Sequence, residues 1–144
     1  MSALTKDRNT PALMGDKRRG LAAAAVTIYA GALLMRNAAG YLTPGATATG
    51  AIGAGRALVQ IDNTSGAAGD AEVTFDAEIC RYANSGADPI TIADIGSPCF
   101  IVDDQTVAKT DGTSTRSPAG LIEDVDTLGV WVRFDEALTK AATA

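Results

Sequence analysis

The chain has 144 residues, enough for one domain, and is 47% hydrophobic but only 5% aromatic, so its core is built from many small side chains and few large ones. Its formal charge of −5 gives no support for nucleic-acid binding as its main role, and with no histidine present any general acid–base chemistry would fall on carboxyl groups. Two cysteines, Cys80 and Cys99, are too few for a disulfide framework and read as two buried thiols in strands.

Charge is distributed unevenly. Residues 1–20 carry Lys6, Arg8, Lys17, Arg18 and Arg19 against Asp7 and Asp16, a net +3, whereas the remainder holds seven basic and 15 acidic residues, a net −8. Pro11, Gly15 and Gly20 interrupt any helix in this basic stretch and no apolar period develops. It is expected to be an extended arm over 1–20, either docking on a partner or serving as a solubilising tail. No apolar core follows the first residues, so no signal peptide is expected. The apolar run Gly20–Met35 is shorter than the roughly 20 residues a bilayer span needs, and an origin in the cytoplasm is expected.

From Leu21 to Met35 the alanines favour helix and Val26-Thr27-Ile28-Tyr29 favours strand. Two strands, about 24–30 and 32–36, are expected with Gly31 as a kink. Asn37–Gly40 reads as a turn, and Tyr41-Leu42 as a strand stopped at Pro44-Gly45. The Gly-rich segment TATGAIGAGRALVQID (47–62) lacks the strand–loop–helix order and the Gly-Lys-Ser/Thr ending of a phosphate loop, and reads as a glycine-rich strand or tight bend followed by a β-type run over 57–61.

Ala71–Tyr82 alternates. Val73, Phe75, Ala77, Ile79 and Arg81 fall on one face; Glu72, Thr74, Asp76, Glu78 and Cys80 fall on the other. One half-buried strand with a solvated carboxylate face is expected. The segment 90–96 is consistent with a strand at Ile90–Ile92, or with one helical turn capped by Thr91 and stopped by Gly96.

Cys99–Val102 is a β-run ended by Asp103-Asp104; Asp111-Gly112 is a second turn signal; Gly120–Ile122 resumes extended structure. In Val130–Phe134, Val130, Val132 and Phe134 share one face and Trp131 and Arg133 the other. Asp124 and Asp126 form a DxD pair, explained more cheaply as a turn beside Leu128-Gly129 than as a metal-nucleotide site. The tail 136–144 is expected to be a frayed helical turn or disordered.

The runs YAGALLMRNAAGYLTPGATATG, GRALVQIDNTSGAAG and CFIVDDQTVAKTDGTSTRSPAGLIEDVDTLGVWVRF, within roughly Ala22–Phe134, resemble a family of small bacteriophage and prophage head proteins, the capsid decoration or structural cement proteins. The resemblance implies a mostly β body, a small barrel or sandwich-like domain over 21–135. It also implies no catalytic residues, no metal or cofactor, and homotrimers on the outside of a phage head whose partner is the major capsid protein. The arm basics Lys6, Arg8, Lys17, Arg18 and Arg19 are the expected capsid contacts, while Phe100 and Trp131 are assigned to core packing or the trimer seam. A surface β-module recognising a glycan or host protein is the alternative. An enzyme using Asp103, Asp104, Glu123, Asp124 and Asp126 is the remaining class.

Overall fold

The computed structural model describes residues 2–13 and 15–144. Met1 and Met14, both within the expected arm, lie outside the described residues. In chain order the strands are β1 (Lys17–Leu21), β2 (Val26–Ile28), β3 (Leu33–Arg36), β4 (Leu42–Pro44), β5 (Ile52–Ala57), β6 (Ile61–Asn63), β7 (Glu72–Asp76) and β8 (Ile79–Asn84). After a 3-10 turn (Ile92–Asp94) come β9 (Pro98–Ile101), β10 (Thr106–Ala108), β11 (Pro118–Asp126) and β12 (Gly129–Arg133), then a helix α1 (Glu136–Ala142). Among the described residues the protein is mostly β, with a small closed barrel and one short helix, the fold class that the resemblance implies.

The strands form two bodies. The C-terminal body is a closed barrel of order β10-β8-β12-β11-β9. Its interior is filled by Tyr82, Ile101, Val107, Ile122, Val130 and Val132 together with the thiols of Cys80 and Cys99. Each fully buried aliphatic side chain here contributes on the order of 1.5–3 kcal/mol. The N-terminal body is a five-stranded sheet of order β1-β7-β5-β3-β4. An isolated parallel bridge between Ala22 and Leu42 brings its two ends together, so this sheet curls almost into a second barrel. Its own core, Leu34, Leu42, Ala54, Val73 and Phe75, is capped by the β2–β6 pair through Ile28.

The bodies join without a linker. β3 alternates sides: Leu34 enters the first core, while Leu33 and Met35 enter the barrel core. β5 crosses β11 so closely that a Cβ on Gly53 would collide with the backbone carbonyl of Ala119, which explains a glycine in the middle of a strand. Gly31, at φ +89°, turns the chain between β2 and β3 at the expected kink, and its carbonyl accepts a hydrogen bond from the Tyr82 hydroxyl (3.1 Å). The Asn37 side chain holds the expected turn by accepting from the backbone N–H groups of Ala39 and Tyr41.

Four expectations are corrected. Ala71–Tyr82 is not one strand: it breaks at Ala77-Glu78 as the chain leaves β7 for β8, and the inward face changes parity. Val73 and Phe75 point in before the break, but Cys80 and Tyr82 point in after it, leaving Ile79 and Arg81 outside. Asp76 is accordingly not on a solvated face; it is 2% exposed and bonds Arg56 Nη2 through Oδ2 at 2.7 Å. Leu58–Gln60, within the expected β-type run, form the bend between β5 and β6. Lys17–Gly20, expected in the arm, belong to β1 and pair with β7 along their whole length.

The 90–96 segment takes the helical alternative, with Asp94 Oδ2 accepting from the Thr91 N–H. The tail is helical from Glu136: the Asp135 side chain caps it, Thr139 is fully buried, and Glu136 pairs with Arg36 at 2.8 Å. The β10 strand carried no clear signal, since Thr106–Ala108 is too short to alternate.

Two predictions concern this framework. Removing one partner of a buried ion pair costs most when the group left behind cannot reach water. Arg56→Met strands the Asp76 carboxylate and should lower stability by about 3 kcal/mol, whereas Asp76→Asn leaves a half-exposed guanidinium and should cost about 1 kcal/mol. Urea unfolding of the two variants checks this order, and an equal or reversed order contradicts the burial asymmetry. The second concerns the thiols, both free and buried. Neither should react with Ellman's reagent in the native protein, and both should react in denaturant.

Candidate functional site

The expected site residues fall into three places. Lys6 and Arg8 lie in the N-terminal arm, where every described residue from 2 to 13 is exposed. Its ordered contacts are local, such as Arg8 Nη1 donating to Thr10 Oγ1 (3.3 Å). The arm meets the body at Asp16, whose carbonyl accepts from the Ala77 N–H and extends the β1–β7 ladder by one residue.

Lys17, Arg18 and Arg19 form a second group on β1. Lys17 and Arg19 are exposed and Arg18 is half-buried. Arg19 Nη1 lies 3.3 Å from Glu72, an exposed pair worth about 0–1 kcal/mol. Arg18 Nη1 donates to the carbonyls of Gly15 (2.7 Å) and Lys17 (2.8 Å). These two arginines and Arg36 line a cleft of about 230 Å³ whose apolar side includes the buried rings of Phe75 and Phe134. Asp135 and Glu136, at the start of α1, also line it; the first caps the helix and the second is held by Arg36.

The third place is the outer wall of the barrel. Phe100 and Trp131 both sit there, half-buried, rather than in the barrel core. They are not brought together, because β11 separates β9 from β12. Phe100 faces the end of α1 and the chain terminus across a shallow cleft. Trp131 has its own cluster: the Arg81 guanidinium carbon lies 5.3 Å from the ring centroid, and the indole Nε1 donates to Asp126 Oδ2 at 2.9 Å. Asp126 Oδ1 also accepts from the backbone N–H groups of Leu128 and Gly129, so this carboxylate ties the β11–β12 hairpin.

The carboxylates weighed for catalysis do not converge. Among the described residues no group of three or more Asp, Glu or Cys side chains is arranged to hold a metal ion. Asp103 accepts from Gln105 N–H and Asp124 from Val125 N–H, each stabilising its own turn or bulge, and Glu123 is exposed. Of the DxD pair, Asp126 ties the turn at Leu128-Gly129, whereas Asp124 lies within β11 beside its bulge. Among the described residues no helix is long and apolar enough to cross a membrane.

Sequence reasoning missed the participation of Arg36, which comes from a strand remote from the basic segment and has no local signal. It also missed Arg81 as an outward residue, because the parity change at Ala77-Glu78 is invisible to a simple alternation count. No family model, curated protein or solved structure matches the chain.

The hydrogen bond from Trp131, with those from Leu128 and Gly129 and the nearby Arg81 charge, holds the Asp126 carboxyl below its ordinary value of 3.8. A depressed native value means the hairpin tie is fully present above the unfolded-state value and is lost as pH falls through the native one. Trp131 is the only tryptophan, so its emission reports this cluster alone. A fluorescence titration should show a step with a midpoint below 3.8, the usual Asp value, and Asp126→Asn should abolish it. A step that persists in the variant assigns the titration to another group.

Proposed function

We propose that this protein is a phage capsid decoration protein that binds the outside of the expanded head and clamps neighbouring major capsid proteins. The observation that carries this reading is the arm. A stretch containing Lys6 and Arg8 also exposes Leu4 (72%) and Leu13 (81%), yet the fold buries none of residues 2–13. Exposed apolar side chains interspersed with basic ones, attached to a body whose core includes none of them, suit a segment that gains its contacts on a partner.

Two further observations support it. The body is compact and β-rich, and the clefts beside β1 and Phe100 open onto its surface, which suits a protein that works through its surface. Its composition also agrees with the resemblance carried by residues 22–134. In this reading the protein is a homotrimer on the virion surface. Three arms anchored to one trimer bind by avidity: once one is seated, the others attach at high effective concentration, and many weak contacts oppose the outward pressure of packaged DNA. Phe100 and Trp131, on the barrel wall, are available to the trimer seam, and Trp and Arg together are the side chains most enriched at energetic centres of protein interfaces.

The half-exposed Trp131 favours a second reading, a surface module that binds a glycan or host protein. Arg81 already occupies the ring, so a sugar would have to use what it leaves uncovered.

Purified virions, or particles from the induced prophage, provide the test. The protein should co-sediment with DNA-filled heads in copy numbers comparable to the major capsid protein; absence from particles, or a few copies only, rejects the cement reading. Deleting residues 2–15 should weaken head attachment while leaving the unfolding midpoint unchanged, because β1 begins at Lys17. A deletion reaching residue 19 removes most of β1 and should destabilise the body as well. Head binding by the 2–15 deletion as tight as that of the full chain would remove the arm from the mechanism.

A further inference from the structure

The two ends of the first sheet meet only at the Ala22–Leu42 bridge, with Ala23 N–H donating to the Leu42 carbonyl at 2.8 Å. N-terminal to that point β1 is an edge strand. Which backbone groups it leaves open follows from the ladder. Ala22 N–H donates to Ala71, and Ala77 N–H donates to Asp16. In an antiparallel pair these bonds recur at every second residue, so Arg18 and Gly20 are the residues whose N–H and C=O groups bond β7. Lys17, Arg19 and Leu21 therefore direct theirs to the open edge. The Lys17 carbonyl is covered there by the Arg18 guanidinium; Arg19 presents both of its groups. An edge of this kind is a template for another strand.

The chemistry beside the edge selects what can be added. Arg18, Arg19 and Arg36 line the adjoining cleft, with Phe75 and Phe134 beneath them. Of the carboxylates nearby, Asp16 stands exposed just before β1, and the others have partners. Glu136 is held by Arg36, Asp135 caps α1, and Glu72 pairs with Arg19 only in an exposed, weak contact. Arg18 uses one nitrogen, on two carbonyls, and keeps its other donors. In a chain of net charge −5 this is a local concentration of guanidinium groups next to open backbone donors and acceptors. The protein's own basic arm is disfavoured as its occupant by like charge.

We propose that the open edge of β1 and this cleft form a docking groove for an extended, acidic segment of a partner protein. The segment adds a strand along Lys17–Leu21 and places carboxylates on Arg18 and Arg19. Main-chain hydrogen bonds would supply the pairing, and charge-assisted bonds to guanidinium the selectivity. The groove rests on the reading of the chain as a protein-docking module and gives that module a second contact, distinct from the arm.

A fluorescein-labelled peptide, Val-Glu-Glu-Glu-Glu-Val, whose adjacent glutamates present carboxylates to both faces of the strand as Arg18 and Arg19 do, is titrated with the full 144-residue chain and followed by anisotropy. Binding should weaken with added salt and fall about tenfold in Arg19→Glu, where an exposed side chain is changed and the fold is spared. Arg18→Gln combined with Arg19→Gln should show the same direction of change without adding negative charge. The peptide with alternate backbone nitrogens methylated should lose binding, since it cannot complete a ladder. Equal binding of the methylated peptide, or of an analogue with Lys for Glu, overturns the groove. If full-length protein binds heads but not the acidic peptide, the groove is wrong and the cement reading stands. If it binds the peptide through β1 but does not bind heads, the groove stands and the cement reading fails.

Discussion

The crossover from β7 to β8 is the constraint on which the rest of the structure depends. Here a continuous stretch of chain leaves one core and enters another, and its inward face changes parity within two residues, Ala77 and Glu78. The change buries Asp76 at the end of β7, and a buried carboxylate needs a partner. Arg56 supplies it from β5, and also lies 3.6 Å from Glu78 on the far side of the break. Gly55, beside Arg56, has no Cβ, which lets the Asp76 carbonyl approach where a side chain would block it. This ion pair and glycine act with β3, which feeds both cores, and with the close β5–β11 crossing to hold the two bodies together. The pair is incompletely bonded: Arg56 Nε and Asp76 Oδ1 have no protein partner, so its value lies in positioning more than in net stability.

Much of this fold was legible because the barrel strands obey period-two burial. Val130, Val132 and Phe134 point inward as the alternation requires, and the turns at Asn37–Gly40, Asp103-Asp104 and Asp111-Gly112 fall where their residues favour them. The Gly-rich 47–62 segment was legible only as a strand or tight bend, of which the structure gives a strand over Ile52–Ala57, and the reason for Gly53 was not legible, since the Ala119 backbone it accommodates is 66 residues away in sequence. The Ala71–Tyr82 stretch misled because its alternation is continuous on paper: nothing local distinguishes a straight strand from two strands of opposite parity. Arg36 and Glu136 are likewise invisible as a pair, 100 residues apart.

Lys17–Leu21 was harder to read for a different reason. A strand of sequence Lys-Arg-Arg-Gly-Leu has weak intrinsic β-preference and only one large apolar side chain. Its order comes from the β7 ladder and from Gly20, where a Cβ would crowd Leu42 and Phe75. Tertiary context therefore divides the basic N-terminal segment. Lys6 and Arg8 stay outside the fold, whereas Lys17, Arg18 and Arg19 are fixed to it in a defined geometry.

That division changes how the positive charge can act. A basic arm held only at one end can satisfy many acidic surfaces, and each contact carries the entropy cost of ordering flexible chain. Guanidinium groups mounted on a strand are already positioned and lose less on binding, so they can discriminate among partners by geometry. An apparatus that combines the two has reach from the first and selectivity from the second. On the proposed reading, in which the chain binds a repeating capsid lattice, the positioned arginines would be the part able to respond to a change in the spacing of their partners, because an arm long enough to span either spacing responds to neither.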